Sequence, residues 1–363
     1  MSVDTLLEGK RICICAGAGG VGKTTTSAAI AVGMARRGLK VAVLTIDPAR
    51  RLANSLGLPE LGNEERRIEL DAPGELWAMM LDAKSTFDEI VAKHAPDPET
   101  RDAVLSNRIY KELSTAVAGS QEYMAMEKLH ELHADGRYDL LVLDTPPSRN
   151  ALDFLDAPDR LSRFIDSRAL NFFLAPSRTG LKIFSRGTGV IFSILKRVTG
   201  IDLLQDLSDF FSSFSGMAEG FRERARAVKA LLADDQTTFL LVTSPAHEAI
   251  EETQFFRDRL DEAGMPFGGV VVNRMHVEAD VDDPAIPDGI DAELARKLAE
   301  NFEDFHALAL RDRRNVEELT ADIGDRPLIV VPYLDEDIHD LAGIEAMDEY
   351  LFAAEAVAQT GAE

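Results

Sequence analysis

The chain has 363 residues, 45% of them hydrophobic, and a formal net charge of −24 from 63 acidic against 39 basic residues. That length suffices for one large domain, or one with a sizeable insertion, and the acidity argues against a nucleic-acid tracker, which needs a basic face. No stretch approaches the ~20 apolar residues of a membrane span, and Met1-Ser2-Val3-Asp4 carries neither the basic start nor the apolar run of a signal peptide, so the expected location is a reducing cytoplasm.

In chain order, Arg11 to Ala16 reads as a buried strand containing the only two cysteines, Cys13 and Cys15, which alternate with Ile12 and Ile14 as small core residues. With no Cys-x-x-Cys, the chain by itself builds neither a zinc clamp nor a redox pair. Next comes Gly17-Ala18-Gly19-Gly20-Val21-Gly22-Lys23-Thr24, which fits the phosphate-loop pattern G-x-x-x-x-G-K-[ST], and then an Ala-rich helix from Thr24 to Arg37. Glycines let the backbone wrap a phosphate chain with its N–H groups inward. The helix N-terminus adds partial positive charge, Lys23 a full one, and the Thr24 hydroxyl a ligand for Mg²⁺. Strand, loop and helix stand in the required order, so a nucleoside triphosphate, ATP with Mg²⁺, is the expected ligand.

Further apolar runs follow: Val41 to Ile46 ending at Asp47, Leu76 to Leu81 before Asp82, Leu140 to Leu143 ending at Asp144, Phe239 to Val242, Val270 to Val272 ending at Asn273, and Leu328 to Val331 ending at Pro332. Continuous apolar strands separated by helices mean an α/β fold, a parallel sheet flanked by helices. Functional residues then gather at the strands' carboxyl ends, where Asp47, Asp144, Asn273 and Pro332 all stand. Asp144 suits the Mg²⁺-holding role of a Walker-B carboxylate, partly through water. Asp47, a weak base at an ordinary pKa of ~3.9, suits water positioning and counts with Lys23 as catalytic. For each aspartate the plain alternative is a helix cap or turn.

The alternation lapses between about 83 and 232. The expected organisation is a phosphate-loop core over 1–82, 136–158 and 233–356, a split helical subdomain over 83–135 and 159–232, and a flexible tail over 357–363. The second helical piece holds nine of the eighteen phenylalanines. Leu203, Leu207, Phe210, Phe214, Met217 and Phe221 step by four and three along one helix face. Such a stripe is ordinarily core. The functional alternatives are a groove for an apolar client helix, with Phe172, Phe173, Phe184, Phe192, Phe210 and Phe214 as candidates, or a dimer interface. Arg178, Lys182, Arg186, Lys196 and Arg197 form a basic island, either ordinary solvated charge or a contact for an anionic membrane or acidic partner.

The segments from Gly17 to Thr25, Asp47-Pro48-Ala49, Asp144-Thr145-Pro146-Pro147, Asn273-Arg274 and Pro332 occur in the order found in the ArsA / tail-anchored-protein-targeting (GET pathway) ATPases. The chain resembles that family, part of the deviant phosphate-loop class of MinD and ParA, over nearly its whole length. The resemblance implies an ATP-hydrolysing dimer, homodimeric or paired with a paralogue, that sandwiches two nucleotides. It implies Asp47 as the catalytic switch I aspartate, Asp144 and Thr145 opening switch II, Gly17 through Thr25 on the phosphates, and Asn273 and Pro332 on adenine. It further implies a chaperone or targeting factor for hydrophobic segments; an anion-transport-coupled subunit or a weakly active scaffold in a heterodimer is the alternative. Ala18 stands where the family usually has a lysine reaching the partner's phosphates. Arg50-Arg51 replace His-Ser, Arg149-Asn150-Ala151 replace Gly-His-Thr, and Ala246 falls near a nucleotide-contacting glutamate of eukaryotic members. These departures resemble a bacterial branch. With no thiols placed for them, a metalloid site and a zinc-bridged dimer are not expected.

Overall fold

The computed structural model describes residues 2–47, 49–108, 110–111, 120–146, 156–160, 163, 210, 217–278, 291–334, 338 and 340–353. The chain divides into two compact units, one from 1–80, 132–151 and 232–363, the other from 81–131 and 152–231.

The first unit is built on eight strands: β1 (Ile12–Ala16), β2 (Lys40–Thr45), β3 (Arg66–Ile68), β4 (Glu75–Met80), β5 (Leu140–Asp144), β6 (Thr237–Thr243), β7 (Phe267–Met275) and β8 (Leu328–Pro332), in the order β3-β4-β2-β5-β1-β6-β7-β8. From β4 to β8 every neighbouring pair is parallel. All residues of β1, β5 and β6 are buried, as apolar runs covered on both faces should be. β1 is the switch point: the chain leaves it towards β2 and β4, returns to β5, and then crosses to β6, β7 and β8. A ligand crevice at the carboxyl end of β1 follows from that topology.

The sequence reading lacks β3. This edge strand pairs antiparallel with β4, and its two arginines are exposed while only Ile68 is buried, so no apolar run announces it. The first helix, α1 (Val3–Leu6), is a single turn. The helix after the phosphate loop, α2 (Lys23–Arg36), has eleven of its fourteen residues buried, which explains its Ala-rich, weakly amphipathic sequence. Gly33 lets the segment after the C-terminal helix of this unit (Leu341–Leu351) approach: a Cβ there would meet the Phe352 ring at 2.2 Å. The Arg37 guanidinium caps that ring 3.8 Å from its centroid.

In the second unit the described helices are Ala83–His94, Pro98–Ser106, Ser120–Asp135 as far as Glu131, and Ala218–Leu232 as far as Leu231. Asp82 and Asp97 cap the first two, accepting from the Ser85 and Thr100 amides at 2.6 and 2.7 Å. Phe87 stacks on Phe221 and tilts against Tyr110, with ring centroids 5.8 and 5.4 Å apart. Phe210, Met217 and Phe221 are buried. Of the six groove candidates, Phe210 alone is described, and its side chain is only 3% exposed. Phe172, Phe173, Phe184, Phe192 and Phe214, and the basic island, lie outside the described residues.

Inside this unit Glu127 is almost wholly buried and paired with Arg224. Tyr123 donates its hydroxyl to Glu127 at 2.9 Å, and Arg224 lies 2.6 Å from His94 Nε2. Burial, followed by the Arg224 charge, holds the His94 imidazole below its ordinary pKa.

Candidate functional site

The loop between β1 and α2 needs its glycines for two separate reasons. Gly17, at φ 150°, lies so close to β6 that a Cβ would fall 2.0 Å from the Val242 carbonyl oxygen. Gly22, at φ 94°, is the left-handed N-cap of α2, and a Cβ there would meet Asn273 Nδ2 at 2.2 Å. The loop is thus pressed between the ends of β6 and β7. Thr24 and Thr25 follow in the first turn of α2, where free backbone N–H groups favour an anion.

Lys23 is buried, and its ammonium donates to the Ala18 carbonyl at 2.6 Å across the loop. Burial lowers its pKa, with the negative charges of Asp144 and Asp47 opposing. Asp144 is fully buried at the end of β5. Thr24 and Thr45 both donate hydroxyls to its Oδ2, each at 2.8 Å, and its Oδ1 has no partner. Burial pushes this carboxyl up to about 6 against the pull of the two hydroxyls and Lys23. A buried carboxylate oxygen without a donor is costly. Beside a helix N-terminal hydroxyl it is suited to a hard, oxygen-loving cation such as Mg²⁺, held directly or through water.

Asp47, after β2, is also buried. Its Oδ1 accepts the Ala49 amide at 2.9 Å and its Oδ2 pairs with Arg51 at 3.4 Å. Arg50 takes the left-handed conformation at φ 56°. Thr145 donates its hydroxyl to the Cys15 carbonyl at 2.9 Å, tying the end of β5 to β1. Lys23, Thr24, Asp47 and Asp144 therefore gather at the carboxyl ends of the central strands β2, β5 and β1.

Asn273 comes to the loop from the other side, donating its amide to the Val21 carbonyl at 2.9 Å. Pro332 ends β8, three strands from β1, or about 14 Å at ordinary strand spacing. Beside the loop opens a cavity of about 540 Å³ lined by Ala18, Gly20, Ser244, Glu248, Glu252 and Arg274.

Two neighbours of the site have no role assigned from sequence. Thr45 lies opposite Asp144 in the β2–β5 register; the signal was there, because both end parallel strands, but pairing order is not local. Arg274, at φ 61°, donates from Nη1 to the Gly20 carbonyl at 3.2 Å. It stands in the Asn273-Arg274 segment of the family resemblance, but its sequence context gives it no role of its own.

A family model described as anion-transporting ATPase matches residues 10–315. The ATPase GET3 of Malassezia globosa is 24% identical over 353 residues, covering 96% of this chain and 94% of that protein. A putative arsenical pump-driving ATPase 1 of Aquifex aeolicus is 24% identical over 351 residues, covering 95% and 79% respectively. The ATPase get3 of Schizosaccharomyces japonicus is 25% identical over 328 residues, covering 88% and 92%.

Proposed function

Because this chain belongs to the anion-transporting ATPase (ArsA) family, and so is an ATP-hydrolysing enzyme, we propose that it works as a dimeric, ATP-driven switch that shields hydrophobic client segments in the cytoplasm. The observation that carries the site assignment is the Asp144 carboxylate, which gathers the Thr24 and Thr45 hydroxyls on one oxygen and leaves the other unpartnered.

In this reading the amides of the loop from Gly17 to Thr25 hold the β- and γ-phosphates, in place before the reaction begins. Lys23 exchanges the Ala18 carbonyl for a phosphate oxygen, where its full charge is better used. Thr24 and Asp144 hold Mg²⁺, which when bound neutralises charge developing on the phosphate oxygens. Asp47, fixed by the Ala49 amide and by Arg51, orients the attacking water. Arg51 also brings a cation to the catalytic edge of a loop that has Ala18 in the place of a lysine. Pro332 and Asn273 lie on the side expected to receive adenine. Dimerisation is supported by the family resemblance and by the single phosphate loop, and the partner is a second copy or a paralogue.

The client role is supported by the GET3-named relatives and by the density of phenylalanine between Arg160 and Phe221. A second reading, an ATPase that drives an anion pump, is favoured by the family description and the Aquifex relative. Against a thiol-based metalloid site stand the only two cysteines, both fully buried in β1. Among the described residues no helix is long and apolar enough to cross a membrane.

The test is light scattering of the purified protein with and without a non-hydrolysable ATP analogue, followed by titration with a fluorescent apolar helical peptide. A mass that doubles with the analogue and peptide affinity that changes with nucleotide support the switch. A monomer under all conditions, or peptide binding indifferent to nucleotide, rejects it. Hydrolysis stimulated by an oxyanion and not by peptide selects the pump reading.

A further inference from the structure

At the carboxyl end of β7 the parallel pairing with β8 loses register between Val272 and Met275 and resumes at the Met275–Pro332 pair. An irregularity of this kind re-aims side chains that a regular strand would send elsewhere. Here it involves Asn273 and Arg274, and both turn onto the phosphate loop.

The contacts are specific. Asn273 is buried and donates Nδ2 to the Val21 carbonyl at 2.9 Å. Its Oδ1 accepts the Arg274 amide at 3.0 Å, which fixes which way the carboxamide faces. Arg274 donates Nη1 to the Gly20 carbonyl at 3.2 Å. It does so from φ 61°, a left-handed backbone that only one other described non-glycine residue, Arg50, adopts. Gly22 completes the arrangement, since any side chain there would displace the Asn273 amide.

Two successive carbonyls of the loop, Gly20 and Val21, are thus held from behind by side chains more than 250 residues away. Each peptide unit is planar, so pinning a carbonyl on one side of the loop turns the N–H of the same unit to the other. The units concerned carry the amides of Val21 and Gly22, in the middle of the phosphate cradle. A strained backbone at a functional site persists only where its surroundings over-determine it. The carbonyl held by Arg274 supplies a reason for the strain.

We propose that Asn273 and Arg274 are positioning residues that clamp the phosphate loop into its amide-inward conformation, so that β7 governs affinity for the phosphate chain whatever base is attached. This rests on the ATPase-site reading and adds to it a role at the phosphate end for a strand terminus expected to meet adenine. The two roles are compatible, because Asn273 keeps one amide hydrogen for a base.

The discriminating probe is inorganic tripolyphosphate, which has phosphates and no base. Its Mg²⁺ complex, Mg-ATP and Mg-GTP are titrated against wild type and the variants Arg274→Gly, Arg274→Lys and Asn273→Ala. Arg274→Gly suits its left-handed backbone, so its melting temperature stays at or above that of wild type. Its affinity for all three ligands falls by about the same factor, roughly tenfold, the scale of one charge-assisted hydrogen bond. Arg274→Lys, which keeps a cationic donor, restores most of that loss, a rescue that a merely structural role would not show.

Tripolyphosphate affinity within twofold of wild type in both Arg274→Gly and Asn273→Ala overturns the clamp. So does a loss confined to ATP, which would make these residues base readers. A wild-type protein that binds neither ATP nor tripolyphosphate overturns the site reading itself, and the clamp with it.

Discussion

Replacing Gly17 by alanine tests the geometry on which the loop depends. The added Cβ would sit 2.0 Å from the Val242 carbonyl oxygen and 3.1 Å from its carbon, both backbone atoms. Ordinary non-bonded contact requires the two chains to part by about 1 Å or more. Val242 cannot yield easily, because β6 is hydrogen-bonded to β1 on one side and β7 on the other and is buried along its whole length. The backbone adds its own penalty, since φ 150° is a conformation that L-residues rarely adopt. Strained φ at about 1–3 kcal/mol and overpacking at about 1–3 kcal/mol together put the cost at about 2–6 kcal/mol. For a domain-sized unit that lowers the melting temperature by about 10 °C. The internal control is Gly20→Ala in the same loop. Gly20 also has positive φ, at 81°, but nothing lies within 4 Å of its Cβ position, so only the backbone penalty of about 1–2 kcal/mol applies. Differential scanning fluorimetry of both variants, with Mg-ATP titration of the folded fraction, separates the two effects. Equal shifts in the two variants would refute the argument that proximity to β6 demands glycine at position 17.

Asp144→Asn removes a charge that burial disfavours by up to about 3 kcal/mol at pH 7 and leaves an amide group to satisfy at about 1–3 kcal/mol. Thermal melting in EDTA therefore shows stability unchanged or slightly raised, while phosphate release falls by about 100-fold or more. Asp47→Asn lowers hydrolysis by about 100-fold or more and leaves ATP affinity within about threefold; rates equal to wild type would remove Asp47 from the mechanism. Burial and Arg224 depress the folded-state pKa of His94 below its ordinary value, outweighing the opposing charges of Glu127 and Glu131. The unfolded chain then takes up the proton first as pH falls below roughly 6.5, and the stability this group contributes above that pH is progressively lost. Urea midpoints at pH 7 and pH 5 should differ less in His94→Gln than in wild type, and an identical pH response would reject the assignment.

The α/β character was legible because buried parallel strands are continuous apolar runs, and seven of the eight strands carry one. β3 was not, because an edge strand with two exposed arginines has a single residue of core signal. The phosphate loop was legible for a different reason. Its glycines, Lys23 and Thr24 are neighbours in the chain, so their spacing alone encodes the cradle. The partners of that loop are another matter. Thr45 meets Asp144 across 99 positions and Asn273 meets Val21 across 252, and neither pair has any local signature.

What the amino-acid order determined by itself is the chemistry on offer: an anion cradle, a cation-binding hydroxyl, and aspartates at strand ends. Strand order and register alone decided which groups meet. They set Thr45 beside Asp144 and brought the irregular end of β7 against the loop from behind. A parallel sheet is closed by connections of arbitrary length, so contacts across it depend on how strands are ordered and aligned, a property of the folded chain that no short stretch of sequence contains.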